Sequence, residues 1–414
     1  DMIIENQPIE AFLAEHKPDL LGITAYISHV GIVHEYCRAA RRVVPNCHTV
    51  IGGVHAEVVP EDFADPSVDF IVNANALATF PLLVRALAAG SSTENIPGLW
   101  RPDRPRPVTD PAFRYPWPDR AKVARYRSHY YYLFHNPCAL IKTSFGCPND
   151  CTFCFCREVT DGAYYVRELN DVLAELASLP EKDIYIVDDN FLSARKRILA
   201  FCRGVQSAGL KKQFLIYGRA DFIASNEDVI TEFKCAGLRA VIVGLESCRP
   251  EDLERFNKRT TVETNEAAVR ILARHGVDCY ATMILGLDWV AEDFDRLGQW
   301  LKKMGLIYVN LQPMTPLPGT RLFKDSRAPL KIARTDYAKW DLAHLVANPT
   351  GMTAAAYYRQ ILRLYNEITL RPAVIWRLVW RHGLKANLRL LAGVRRVARQ
   401  YKRSAKAEDE NAKT

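Results

Sequence analysis

GCPNDCTFCFC, residues 146–156, holds four of the chain's 11 cysteines. Cys147, Cys151 and Cys154 are spaced C-x3-C-x2-C, and Cys156 follows two residues later. Such a group reads as a metal centre, a disulfide pair or a set of small buried side chains. The rest of the chain narrows the choice. Its 414 residues, 49% hydrophobic and 25% charged, describe a soluble globular protein of two or three domains. No apolar run approaches the ~18 residues of a spanning helix. The opening DMIIENQPIE lacks the basic start and apolar stretch of a signal peptide. A reducing, cytoplasmic setting is therefore expected, and disulfides are disfavoured there. Gly146, Pro148 and Asn149 favour a loop, and three thiolates on one short loop can converge on a metal centre. Zinc normally takes a fourth Cys or His, for which Cys156 is a tight candidate. An iron-sulfur cube held by three protein ligands leaves one iron open.

Outward from this loop the chain alternates strand-like and helix-like stretches. VRELNDVLAELASL (166–179) has helical spacing and stops at Pro180. DIYIVDDNF (183–191), QFLIYGRAD (213–221), RAVIVGLES (239–247), VDCYATMILGL (277–287) and LIYVNLQPMTPLPGT (306–320) are strand-like. Helical stretches lie between them, closed by Gly237 and Gly276. Repeated β-α order predicts a parallel sheet with crossover helices. Polar residues gather where the strands end, which is where α/β barrels place their sites.

The cysteine spacing, with Phe153 before the last cysteine, resembles the radical S-adenosylmethionine (SAM) superfamily. The resemblance implies a partial (β/α)6 barrel over residues 136–325 and a [4Fe-4S] cluster on Cys147, Cys151 and Cys154. SAM would chelate the open iron, and Cys156, outside the pattern, would be a packing residue. The same resemblance assigns Asp188, Asp189 and Asn190 to a site near cofactor or substrate. It gives Arg219 the methionine carboxylate of SAM, and Gly244 and Glu246 a place beside its amino or ribose groups. Gly286 matches the fifth-strand glycine motif, although Leu287, Asp288 and Trp289 replace the usual Pro-Gly-Glu. Glu246 interrupts an apolar run, so a buried partner is expected for its carboxylate. TPLPGT (315–320) is a late motif of one branch and would form a rigid loop at the barrel mouth.

Residues 1–95 read as a separate doubly wound α/β module. GITAYIS, HTVIGGVHA and VDFIVNANALATF, each a strand running into a loop, resemble the cobalamin-binding domain fused before many radical SAM barrels. Its first strand would precede Asp1. Ser28, Gly52 and Gly53 are the expected cobalamin contacts, because glycine lets backbone approach a large ligand. Asn73–Ala76 stand where relatives carry Gly-Glu-Gly-Glu, and the Asp-x-His-x-x-Gly motif is absent from the chain, so no lower axial ligand is assigned. Residues 96–135, rich in Pro and Arg, read as a linker. Tyr130, Tyr131 and Tyr132 either line a substrate space or pack between domains.

Residues 326–414 form a helical C-terminal region with a basic amphipathic tail. From Arg371 onward there are 12 Lys or Arg against 3 Asp or Glu, a net of +9. The whole chain is +8, so the preceding 370 residues net −1. Trp376, Trp380, Leu384, Leu388, Leu391 and Val394 interleave with this charge at roughly helical spacing. The pattern suits peripheral contact with an anionic inner membrane face, and no nucleic acid is expected. SAKAEDENAKT (404–414) reads as disordered.

The resemblance implies a methyltransferase acting on an unactivated carbon. A 5′-deoxyadenosyl radical from SAM would abstract hydrogen, and methylcobalamin would deliver the methyl group. An external donor such as flavodoxin or ferredoxin would supply electrons. The late motif and the tail look most like the hopanoid and lipid methylases, which implies a hydrophobic or lipid substrate. No side-chain acid or base is assigned. A porphyrin-type oxidative cyclase and a zinc-dependent binding or scaffolding protein remain as alternatives.

Overall fold

Two parallel sheets follow one another along the chain, in a computed structural model that describes residues 4–5, 7–107, 116–326 and 328–412. The first contains β1 (Leu20–Thr24), β2 (His48–Gly52) and β3 (Phe70–Ile71), in that order. The helix Val30–Val43 crosses over between β1 and β2 and buries Val30, Val33 and Cys37 against Ile51, Phe63 and Ile71. This is the expected Rossmann-like module.

The second sheet is entered by β4 (Cys138–Ile141). A short antiparallel pair, β5 (Ser144–Phe145) and β6 (Tyr165–Val166), brackets the cysteine loop. Then come β7 (Asp183–Ile186), β8 (Gln213–Gly218), β9 (Leu238–Glu246), β10 (Asp278–Leu285) and β11 (Tyr308–Pro313). β4 and β7 to β11 pair in chain order, all parallel, as an open six-stranded partial barrel. The two-residue period of a strand sorts the side chains. Ile184, Ile186, Phe214, Ile216, Val241 and Val243 pack under the surrounding helices. Cys138, Tyr185, Leu215, Ala240, Ile242 and Tyr280 face the concave side.

An aromatic floor closes the end of the barrel where the strands begin. Tyr132 stacks on Tyr280 with centroids 6.0 Å apart and leans on Tyr185 at 5.2 Å. His135 Nδ1 lies 3.1 Å from Asp183. Of the three tyrosines before β4, Tyr132 is thus a packing residue, and Tyr131 is exposed. The linker between the sheets carries a 3-10 turn run, Arg120–His129. Its residues 108–115 lie outside the described residues.

The helices Ala354–Thr369 and Pro372–Asn411 complete the chain, the second kinked at Gly383 (φ 75°). They satisfy the free edge of β11. The Leu311 N–H donates to the Tyr365 hydroxyl at 3.0 Å, and the Tyr401 hydroxyl approaches the Leu311 carbonyl at 3.5 Å. Residues 404–411, expected to be disordered, are instead helical. Tyr401 and Ala405 are buried, Lys331 pairs with Glu408 at 2.7 Å and Arg359 pairs with Asp409. Helical spacing of these anchors outweighs the polar composition that suggested disorder. Among the described residues, no helix is long and apolar enough to cross a membrane.

Candidate functional site

The cysteine loop leaves β5 through Gly146, whose φ of 79° suits glycine. A Cβ there would stand 2.1 Å from the Ala163 carbonyl oxygen. Cys147, Cys151, Cys154 and Cys156 are all free and half-buried. Two segments from the strand ends clamp the loop. Thr152 N–H donates to the Phe256 carbonyl at 3.0 Å, and Asn257 Nδ2 donates to the Asp150 carbonyl at 3.1 Å. From the other side, Arg321 donates to the Asp150 carbonyl at 2.7 Å and Leu322 N–H to the Thr152 carbonyl at 2.7 Å. Arg321 follows TPLPGT directly, so that motif's position bears on the cysteines.

Glu246 ends β9 in a left-handed conformation (φ 62°), where β10 takes an irregular register between Thr282 and Met283. Irregular pairing of this kind re-aims a side chain, and left-handed non-glycine residues cluster at functional sites. The partner expected for its carboxylate is Lys258, with Nζ at 2.7 Å and both side chains 7% exposed. Burial alone would lower the Lys258 ammonium, but Glu246 and the Cys151 sulfur hold it above its ordinary value. Lys258 also lies over the Phe153 ring at 5.8 Å. Gly244 makes room, since a Cβ there would meet Glu246 Oε1 at 2.3 Å and Lys258 Nζ at 2.7 Å. The sequence reading missed Lys258. The signal was there: a carboxylate in an apolar strand needs a nearby cation, and FNKRT supplies one in the same unit.

Arg219 is already engaged. It pairs with Asp221 at 2.9 Å, donates to the Lys258 carbonyl at 2.6 Å and reaches Cys151 Sγ at 3.6 Å. Rather than standing free for a carboxylate, it brings a fixed positive charge to the cysteine loop.

Asp188 also departs from its expected place at the ligand surface. It is buried, and accepts from Thr143 N, Thr143 Oγ1 and Ser144 Oγ, each at 2.6 Å. It ties β7 to the segment that enters the cysteine loop. Asp189 turns to the mouth instead, accepting from Gly146 N at 2.8 Å and lying 3.6 Å from Cys156 Sγ. Asn190 Oδ1 is buried without a hydrogen-bond partner among the described residues, an acceptor available to a ligand. Gly286 faces protein on all the sides described. A Cβ there would strike Trp289 Cδ1 at 2.4 Å, and Tyr357 donates to the Gly286 carbonyl at 3.2 Å. Its lack of a side chain leaves room for the Trp289 indole.

Gly52 and Gly53 lie at the end of β2, and Ser28 lies in the 3-10 turn Ile27–His29 that follows β1. The two glycines differ. Gly53 (φ 99°) is pressed by its own domain, since a Cβ would stand 2.5 Å from Thr24 Oγ1 and 2.8 Å from Ala25 N. At Gly52 the first atom a Cβ would meet is Val72 Cβ, at 4.0 Å. The helix Val54–Val58 then carries this end of the module onto the barrel: Gly319 of TPLPGT is so close that its Cβ would lie 2.1 Å from Val58 Cγ1. Arg106 bridges the two units, donating to the Asn73 carbonyl at 3.0 Å and the Glu158 carbonyl at 2.6 Å. Beside it, burial pushes the Glu57 carboxyl up to about 7, against the pull of Arg106 and Lys142.

The radical SAM superfamily model matches residues 141–301, and the B12 binding domain model matches residues 1–84. The chain belongs to the B12-binding radical SAM enzymes. It is 27% identical to the hopanoid C-3 methylase of Methylococcus capsulatus over 84% of this chain and 68% of that one. It is 25% identical to the anaerobic magnesium-protoporphyrin IX monomethyl ester cyclase of Cereibacter sphaeroides, over 90% of this chain and 64% of that one. Among solved structures, the radical SAM methyltransferase TsrM from Kitasatospora setae, with cobalamin and a [4Fe-4S] cluster bound, superposes with a TM-score of 0.60. Identity there is 18%, over 84% of this chain and 74% of that one. The cobalamin-dependent radical enzyme OxsB, with aqua-cobalamin bound, gives 0.62 at 17% identity, over 86% and 55%.

The residues of this radical SAM enzyme fit a [4Fe-4S] cluster held by Cys147, Cys151 and Cys154. Three soft donors share one clamped loop, and Arg219 and Lys258 offset the negative charge of thiolates and cluster. A cube spreads its protein ligands over separate irons. Among the described residues, no group of three or more His, Cys, Asp or Glu side chains is gathered to hold a single metal ion. The zinc-scaffold reading, which needs Cys147, Cys151, Cys154 and Cys156 on one ion, therefore has no support.

The two glycines give a test of the cobalamin site. Gly52→Val should leave the fold intact and lower cobalamin retention after reconstitution by about tenfold or more, with iron content unchanged. Gly53→Val should unfold or loosen the module whatever it binds. Equal retention by the Gly52 variant and the parent protein would remove this end of the sheet as the cobalamin site.

Proposed function

We propose that this enzyme methylates an unactivated carbon of a large apolar substrate held in the barrel lumen. The observation that carries the reading is the exposure of large apolar side chains on the concave face above the aromatic floor. Leu140 is in register with Tyr185 and so faces the concave side, yet it is 52% exposed. Tyr217, also concave-facing, is 38% exposed, and Tyr26 of the first module is exposed nearby. Thr282, Asn310 and Gln312 add only a few polar groups on β10 and β11. Such a lining suits an apolar body oriented by few hydrogen bonds. Similarity to the hopanoid C-3 methylase supports a lipid of that kind. When bound, the cluster, SAM and methylcobalamin would supply hydrogen abstraction and a methyl group. The Lys258–Glu246 pair and Gly52 are the chain's own residues that would help hold these groups. An external flavodoxin or ferredoxin would donate the electrons.

A second reading, oxidative ring closure on a porphyrin-type substrate, draws on the cyclase relative, which aligns with 90% of this chain. Product balance separates the two. Anaerobically reconstituted enzyme with SAM, a one-electron reductant and a total lipid extract from a host lacking the gene should form 5′-deoxyadenosine and S-adenosylhomocysteine in equal amounts. The lipid should gain one methyl in mass. 5′-Deoxyadenosine without S-adenosylhomocysteine would overturn methylation and favour ring closure.

A further inference from the structure

Residues 371–403 hold ten Lys or Arg and no Asp or Glu. On the same helix, Trp376 is 73% exposed, Trp380 82%, Leu384 66% and Leu388 60%. Two indoles four residues apart, and two leucines four apart after the kink, place the apolar groups of each segment on one helix face. Among the described residues, Arg377, Lys385, Arg389, Arg395 and Arg396 have no carboxylate partner, so their charge is not spent inside the protein. The helix is nonetheless fixed in place. Its first segment is docked by His382, which stacks on Phe134 at 3.6 Å and meets the Tyr308 hydroxyl at 2.9 Å, and by Arg381, 3.0 Å from Asp278. Its last turns are held by buried Tyr401 and Ala405. The exposed stripe, on either side of the Arg381 and His382 anchor, is a preformed surface.

We infer that this face of the helix docks on an anionic lipid bilayer, and that it does so at the end of the barrel away from the cysteine loop. Fixed cations with no intervening anion complement a phosphate-rich surface, and indoles are suited to the membrane-water boundary. The placement follows from the anchors. Asp278 and Tyr308 are the first residues of β10 and β11, and Phe134 precedes β4, whereas Glu246 is the last residue of β9 and the cysteine loop follows β5. An eight-residue strand separates the two ends by about 26 Å. The fold turns the mouth away, so a lipid substrate must leave the bilayer to reach the lumen. The inference does not rest on the proposed reaction.

Flotation of the full chain with vesicles tests it. Vesicles of phosphatidylcholine mixed with phosphatidylglycerol should carry the protein up, and phosphatidylcholine alone should not. Arg377→Glu/Lys385→Glu/Arg389→Glu and, separately, Trp376→Ser/Trp380→Ser should each lower the floated fraction by about tenfold. Salt should weaken binding in the Trp variant more than in the parent, whose indoles add a salt-resistant part. Brominated lipid should quench tryptophan fluorescence in the parent and much less in the Trp variant. All substituted side chains are exposed, and unchanged iron content and melting midpoint check that the variants fold. The inference is overturned if the parent stays unbound on anionic vesicles, or if both variants float as it does. It is equally overturned if sedimentation shows a dimer that Trp376→Ser/Trp380→Ser dissociates without vesicle binding by the parent. A tight RNA complex without vesicle binding would assign the charge to nucleic acid instead.

Discussion

Alanine in place of Cys147, Cys151 or Cys154 is expected to reduce iron after anaerobic reconstitution to background and to abolish reductive cleavage of SAM. Each thiolate would hold a separate iron, so losing any one of them leaves the cube incompletely held. Asn149 donates to Cys147 Sγ at 3.3 Å and Arg219 to Cys151 Sγ at 3.6 Å, so each of these two sulfurs has a hydrogen-bond donor in reach, although burial raises the Cys151 thiol. Cys156→Ala should keep most of the iron, because Cys156 begins the helix Cys156–Val159 and turns toward Asp189. Iron and 5′-deoxyadenosine, measured together on all four variants, decide the matter. An equal fall for Cys156→Ala would show that the ligand set has been drawn wrongly.

Breaking the Lys258–Glu246 pair should be nearly as damaging, and for two reasons that can be separated. Removing one member leaves the other charge buried and uncompensated, which costs about 3–5 kcal/mol in such pairs. Glu246→Gln and Lys258→Met should each lower the denaturation midpoint of the apo protein. The double variant should recover a good part of the loss, since neither charge then remains. Gly244→Ala should mimic the single variants by wedging a methyl between the two groups. SAM cleavage should be lost in all four, because the pair reaches the cysteine loop through Phe153 and Cys151. A single variant as stable as the parent would mean that the pair does not bear on this part of the barrel. Full SAM cleavage in the stable double variant would leave the pair a purely structural role.

The sequence by itself determined the order of the two modules, the parallel sheets and the cysteine loop. These are local properties. Alternation of period two and period 3.6 sets strands and helices, and C-x3-C-x2-C places three thiols within one loop. The same local reading showed that Glu246 needed a partner, and that the positive charge was confined to the last part of the chain. It could not name Lys258, twelve residues away around a loop. Nor could it rank Asp188 against Asp189, since adjacent strand residues face opposite ways and only the sheet tells which way is inward. Tertiary structure decided those questions. It set the Trp289 indole against Gly286 and surrounded the Asp188 carboxylate with Thr143 and Ser144. It distinguished Gly52 from Gly53 by what lies within reach of a Cβ. It also folded the C-terminal helix, read as a basic tail ending in disorder, onto the barrel through Tyr401, Ala405 and His382. Each decision depends on atoms brought together from distant parts of the chain, and a linear pattern carries no record of which ones meet.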